Sequence, residues 1–182
     1  MALQDAILAA LAYDESSGYD LAKAFDITVA NYWTATPQQL YRELEKMEAG
    51  GLIEARLVEQ EKRPNKRVFS LTDDGREALR AFTTRAPKPT AIRDDLLVQV
   101  EAMEAGDVGS VRENVEAKLA TSEDKLRRYE RTREFLLDGR SEETFLAEEA
   151  RIGPYLTLLR GIAFERENLS WCELVLEKMS AR

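Results

Sequence analysis

From Ser110 to Asp138 the chain runs for nearly thirty residues without a proline or glycine. Val111, Val115, Leu119, Leu126, Tyr129 and Leu136 recur along it at helical spacing, with Val108 just ahead. At 1.5 Å per residue such a helix spans about 40 Å. A stripe that long cannot be buried against a domain of about 80 residues alone. The last segment is more regular still. Tyr155, Ile162, Leu169 and Leu176 fall at heptad position a, and Leu158, Glu165, Cys172 and Met179 at position d, the pattern of a coiled-coil-like seam. Glu165 breaks the apolar series, either to fix register or meet a partner, or simply because it lies at the seam edge.

Ahead of these helices, Leu96, Val100 and Met103 mark a shorter one that stops near Gly106. RAPKPTA, residues 85–91, has two prolines and no periodicity, and divides the chain into 1–86 and 87–182. In the first part, QDAILAALAYDES places Ile7, Leu8 and Leu11 on one stripe and predicts a helix ending near Asp14. After the turn ESSG, YDLAKAFDI repeats the pattern with Tyr19, Leu21, Ala22 and Phe25.

The next stretch, TATPQQLYRELEKMEAGG, is fully punctuated. Thr36 can cap a helix, Pro37 suits its first position, Gln39 stands three residues after the cap, and Gly50-Gly51 closes the far end. The helix runs from about Pro37 to Ala49. Leu40, Leu44 and Met47 form its buried stripe, which leaves Gln38, Arg42, Glu45, Lys46 and Ala49 on the outer face and Gln39 and Tyr41 on the flanks. LIEARLVEQ and RVFSLT alternate as strands, so EKRPN between them is a hairpin turn, and TDDGREALRAF opens another helix with Thr72 as cap.

That order is a winged helix-turn-helix, whose third helix enters the DNA major groove while the hairpin tip lies against the backbone or in the minor groove. The stretches ILAALAYDESSGYDLAKAF, TPQQLYRELEKMEAGGLI and KRPNKRVFSLTDDGREAL, in this order over roughly residues 3–82, resemble the PadR family of bacterial transcriptional regulators. Three departures stand out: Ser17 where the family usually has His, Thr36-Pro37-Gln38 where it has Ser-Pro-Gly, and Arg42 where it has Pro. They change which groups face the bases, so no family operator sequence carries over. The long helices and final heptads resemble the helical dimerisation domain of the virulence-activator alpha C-terminal type. The expected fold is mainly α: a winged helix-turn-helix DNA-binding domain with a two-stranded β-wing at 1–86, and an all-α dimerisation domain of long helices at 87–182.

The expected DNA contacts follow. Gln38, Gln39 and Arg42 can reach base edges, Gln pairing with adenine and Arg with guanine, and Thr36 and Lys46 share that helix. Tyr41 either packs under the wing or gives its hydroxyl to a phosphate, and the resemblance favours contact; for Tyr19 core packing is at least as plausible. The segment EKRPNKR, residues 61–67, puts Lys62, Arg63, Lys66 and Arg67 in seven residues of a chain whose formal charge is -8. The bland account is a solvated turn; at the tip of the hairpin these cations are instead expected on phosphates. Pro64 and Asn65 shape the turn, and Asn65 is counted with the contact set. Residues 1–86 carry 11 Lys and Arg against 14 Asp and Glu, and 87–182 carry 15 against 20, so neither part is globally basic and DNA binding must rest on local charge.

The resemblance implies a homodimer held through Tyr155, Leu158, Ile162, Leu169, Cys172, Leu176 and Met179, reading a palindromic operator, most simply as a repressor. It implies too a small aromatic or lipophilic effector, for which Trp171, Trp33 and Tyr155 are the candidate pocket residues, although aromatics at helical spacing are more often core. No histidine is present, which removes the commonest general base and metal ligand, and a lone cysteine excludes an internal disulfide. No enzyme activity, cofactor or metal is expected. Nor is a membrane span or signal peptide, so the cytoplasm is the expected compartment. The rival is a winged-helix protein-interaction module, which has no need of four cations on its wing.

Overall fold

The computed structural model describes residues 3–25, 35–59, 65–87, 89 and 93–181. The wing tip with Lys62, Arg63 and Pro64, and Trp33, lie outside the described residues. The chain forms two compact units, Met1–Lys88 and Pro89–Arg182.

The first unit comprises α1 (Leu3–Ala10), α2 (Gly18–Ala24), α3 (Pro37–Ala49) and α4 (Asp73–Thr83) with a small antiparallel sheet of β1 (Ser16–Ser17), β2 (Ile53–Val58) and β3 (Lys66–Leu71). β3 is central: Ile53↔Leu71 through Val58↔Lys66 set its register with β2, and Ser16↔Phe69 and Ser17↔Val68 tie β1 to its other edge. The expected two-stranded wing thus gains a third strand from the ESSG turn. Ser-Ser has no strand propensity, and the pairing there is a matter of backbone alone. Ile7, Leu8, Leu21, Leu40, Leu44 and Phe69 are among the side chains that meet in the core. By the hydrophobic effect such a cluster holds the helices to one face of the sheet.

The start and end of α3 are chemically fixed. Thr36 Oγ1 accepts from the Gln39 amide at 3.2 Å while Gln39 Oε1 accepts from the Thr36 amide at 2.9 Å, a reciprocal capping box. At the far end Gly51 takes φ 72°, and the Leu52 amide donates to Met47 O and the Gly51 amide to Glu48 O. This is a Schellman termination, and glycine suits its left-handed residue. Helix α4 is pinned to the same turn. Thr72 caps it through the Gly75 amide at 3.1 Å and donates from its hydroxyl to Gly51 O at 2.6 Å.

The second unit comprises α5 (Asp95–Glu101), a 3-10 turn (Met103–Ala105), α6 (Val108–Leu137), α7 (Glu142–Glu148) and α8 (Gly153–Ser180). Helix α6 begins at the Asp107 cap, whose carboxylate accepts from the Ser110 amide, and ends where Asp138 and Gly139 both turn left-handed. Helix α7, capped by Ser141, was not foreseen; the run SEET is its signature, a capping serine followed by acids in the first turn.

Helices α6 and α8 pack along one another. Val111, Val115, Cys172 and Met179 form one buried cluster, with Trp171 packed against it, and Tyr129, Leu158 and Ile162 form a second. Between them lies a polar layer of buried Ser122 and Glu165. Lys125 reaches Glu165 Oε1 at 3.6 Å and Asn168 donates to its Oε2 at 3.0 Å. Tyr155 is buried where α6, α7 and α8 meet. Its hydroxyl donates to Glu142 at 2.6 Å, Arg133 reaches both groups, and its ring lies 4.7 Å from that of Phe145.

The heptad seam is therefore filled within one chain. Tyr155, Leu158, Ile162, Cys172 and Met179 are each at most 9% exposed against α6 and its neighbours, and Leu169 and Leu176 are partly covered. The periodicity shows that a stripe is buried without showing against what.

Candidate nucleic-acid interface

Helix α3 presents the polar face its spacing predicts. Leu40, Leu44 and Met47 are buried, whereas Thr36, Gln38, Gln39, Tyr41, Arg42, Glu45 and Lys46 are exposed. Gln39 has one side-chain oxygen engaged in the capping box, so its amide nitrogen is the end left to reach outward. Lys46 lies 3.5 Å from Glu43 on its own helix.

Tyr41 is 45% exposed and lies over the first turn of α2; a Cβ built on Gly18 would come within 2.5 Å of its ring. The absence of a side chain at Gly18 is what admits the tyrosine there. Tyr19 is 72% exposed, so of its two readings core packing is the one to discard. Both rings border a cleft of about 290 Å³ with Ser17, Lys66 and Arg67.

The described wing cations are not simply solvated. Lys66 stands 3.7 Å from Asp20, and one nitrogen of Arg67 donates to both oxygens of Glu48, at 2.7 and 2.5 Å. Arg67 also lies over the Phe69 ring, 5.4 Å from its centroid. Asp20 is held below the ordinary carboxylate pKa, first by its hydrogen bond from Ser17 and then by Lys66. Sequence reading missed Asp20 and Glu48, because nothing in their own neighbourhoods marks them; only the closure of β3 onto α2 and α3 does. Asn65 immediately precedes β3 and is exposed.

Elsewhere the chemistry is sparse. Cys172 is a fully buried free thiol whose pKa is pushed up by burial, the opposite of a reactive cysteine. Among the described residues no group of three or more acids and cysteines is placed to hold a metal ion, and no helix is long and apolar enough to cross a membrane.

Residues 7–81 match the transcriptional regulator PadR-like family, and residues 92–180 match the family described as virulence activator alpha C-term. The chain is 33% identical, over the whole of both proteins, to a probable transcriptional regulator of Mycobacterium tuberculosis. It is 28% identical to the negative transcriptional regulator PadR of Bacillus subtilis, over 96% of this chain and 95% of that one. The structure of that PadR in complex with operator DNA superposes with a TM-score of 0.78 at 26% identity over 97% of each chain; its complex with p-coumaric acid gives 0.71 over 98% of this chain and 95% of the other. With both parts of the chain matched in order and a full-length relative, this protein belongs to the PadR-like family of transcriptional regulators and carries a virulence-activator-type C-terminal domain.

Proposed function

We propose that the protein is a homodimeric repressor that reads a palindromic operator and lets go of it when a small aromatic acid binds. The exposed polar face of α3 carries the reading: Gln38, Gln39 and Arg42 meet base edges in the major groove, and Lys46 and the Thr36 end of the helix lie toward the backbone. Tyr41, Lys66 and Arg67, with Lys62, Arg63 and Asn65 at the wing turn, meet phosphates. Residues 1–86 serve as the reading head and 87–182 as the dimerising part.

Because Tyr155, Leu158, Ile162, Cys172 and Met179 are already packed inside one chain, the two copies meet on what the α6–α8 pair leaves uncovered. Leu156 and Leu174 are each about half exposed and lie about five turns apart on the face of α8 away from the seam, with exposed Phe164 beside them. A two-fold dimer presents its recognition helices to half-sites about one helical turn apart, or a multiple of it. The sign of regulation and the aromatic-acid class are carried over from the Bacillus subtilis relative, a negative regulator solved with operator DNA and with p-coumaric acid.

The test is footprinting of the purified protein on DNA upstream of its own gene, with mass determined by light scattering. Protection of two symmetric half-sites by a dimer is the expected result. A folded dimer that protects nothing, with or without p-coumaric acid, moves the assignment to a protein-interaction module.

A further inference from the structure

Both described wing cations face an acid of the helix-turn-helix. The Lys66–Asp20 pair joins β3 to α2 and the Arg67–Glu48 pair joins β3 to α3, and every member is a third to a half exposed. Lys66 and Arg67 border the cleft that also holds Ser17, Tyr19 and Tyr41. Arg67 uses a single nitrogen on Glu48, so its planar fork keeps donors for a second anion. Glu45 also lines this cleft of about 290 Å³, and around it a guanidinium, an ammonium and two exposed phenols are the donors from which one phosphodiester group would accept.

We propose that this cleft seats a single DNA backbone phosphate, and that Asp20 and Glu48 compete with that phosphate, restraining the protein's affinity for DNA. This rests on the DNA-binding function proposed above. In the free protein each cation is neutralised by its carboxylate. When a phosphate arrives, the carboxylate is left beside like charge, which at separations of several ångströms near a protein surface weakens binding by about five- to ten-fold per acid. The displaced carboxylate also recruits a cation as the phosphate releases one, so each pair adds little to the salt dependence that a free cation would give. The acids act on any DNA sequence alike, because phosphates carry no sequence information.

The experiment is an anisotropy titration of the full-length protein on the protected upstream fragment and on a scrambled duplex, repeated between about 50 and 200 mM salt. Glu48→Gln and Asp20→Asn keep shape and one acceptor oxygen while removing charge. Each is expected to raise affinity about five-fold on both duplexes and to steepen the slope of log K against log salt by about 0.9. Against an Arg67→Gln background, where no guanidinium is left to compete for, Glu48→Gln should bring a smaller gain, from relief of the like-charge repulsion alone. Unchanged or weaker binding by both variants, with melting midpoints equal to wild type, makes the acids struts for the wing and overturns the proposal. Wild-type protein that binds neither duplex removes the DNA-binding function itself, and this proposal with it.

Discussion

Lys125 of α6 stands 3.6 Å from the Glu165 carboxylate of α8, and the two are unequally covered: the glutamate side chain is 4% exposed and the lysine 37%. The pair bridges the interval between two apolar clusters of the α6–α8 seam. Lys125→Met should lower stability by about 1–3 kcal/mol, less than a fully buried pair because the ammonium is partly in water. Adding Glu165→Leu to it should recover the loss or exceed it, since matched apolar groups replace a desolvated charge. Urea midpoints at constant m-value decide; a double variant less stable than Lys125→Met alone refutes this account.

The capping box of α3 makes a local prediction. Thr36→Ala removes the acceptor of the Gln39 amide and should cost about 1 kcal/mol, while Thr36→Ser should cost little. Thermal melts of the two variants compare them directly.

Gly75 is a close-approach position. A Cβ there would lie 2.0 Å from the Leu52 carbonyl oxygen, which is itself held by the Thr72 amide at 3.2 Å. Gly75→Ala should therefore destabilise the first unit by about 3 kcal/mol or more, at the upper end of overpacking effects. A near-neutral melt would mean that α4 shifts freely on the α3–β2 turn.

Base reading and phosphate contact separate by their signatures. Arg42→Ala should relax preference at one operator position, whereas alanine at Lys62, Arg63, Lys66 and Arg67 together should weaken every duplex and flatten the salt slope. Binding measured across single-base operator variants distinguishes the two patterns. Uniform weakening by Arg42→Ala would assign that side chain to the backbone.

Acid stability should report on Glu142. Hydrogen bonds from Tyr155 above all, and from Arg133, hold its pKa below the ordinary 4.5. A carboxyl with a lower pKa in the folded than in the unfolded chain contributes fully above the unfolded value and loses that contribution as pH falls through the folded one. Tyr155→Phe removes the main cause, so the stability gap between variant and wild type should be wider at about pH 6 than at about pH 3. Denaturant midpoints at both values measure it; a gap independent of pH excludes this linkage.

What could be read beforehand divides by range. Helix α3 was legible to the residue because Thr36, Pro37, Gln39 and Gly51 act on backbone groups within a few positions of themselves. The strands flanking EKRPN were legible from alternation. Strand β1 was not, because Ser16 and Ser17 pair with β3 through backbone groups that every residue carries. The partners of Lys66 and Arg67 were hidden for a related reason: Asp20 and Glu48 reach them only after the wing closes, and sequence distance says nothing about which acid arrives. The heptads told correctly that Tyr155, Ile162 and Cys172 are buried, but period alone carries no information on whether the covering helix belongs to the same chain.

The polar layer at Ser122 and Glu165 bears on how such a chain can diverge. It separates Val115 and Cys172 from Tyr129 and Ile162, so substitutions on opposite sides share no packing partner and their effects add to within about 0.5 kcal/mol. Length is another matter. One residue inserted in α8 between Leu158 and Cys172 turns every later side chain by about 100°, carrying Cys172 and Met179 out of register with α6. Lineages can exchange residues at either end of this helix pair independently, yet they inherit its length as a single character.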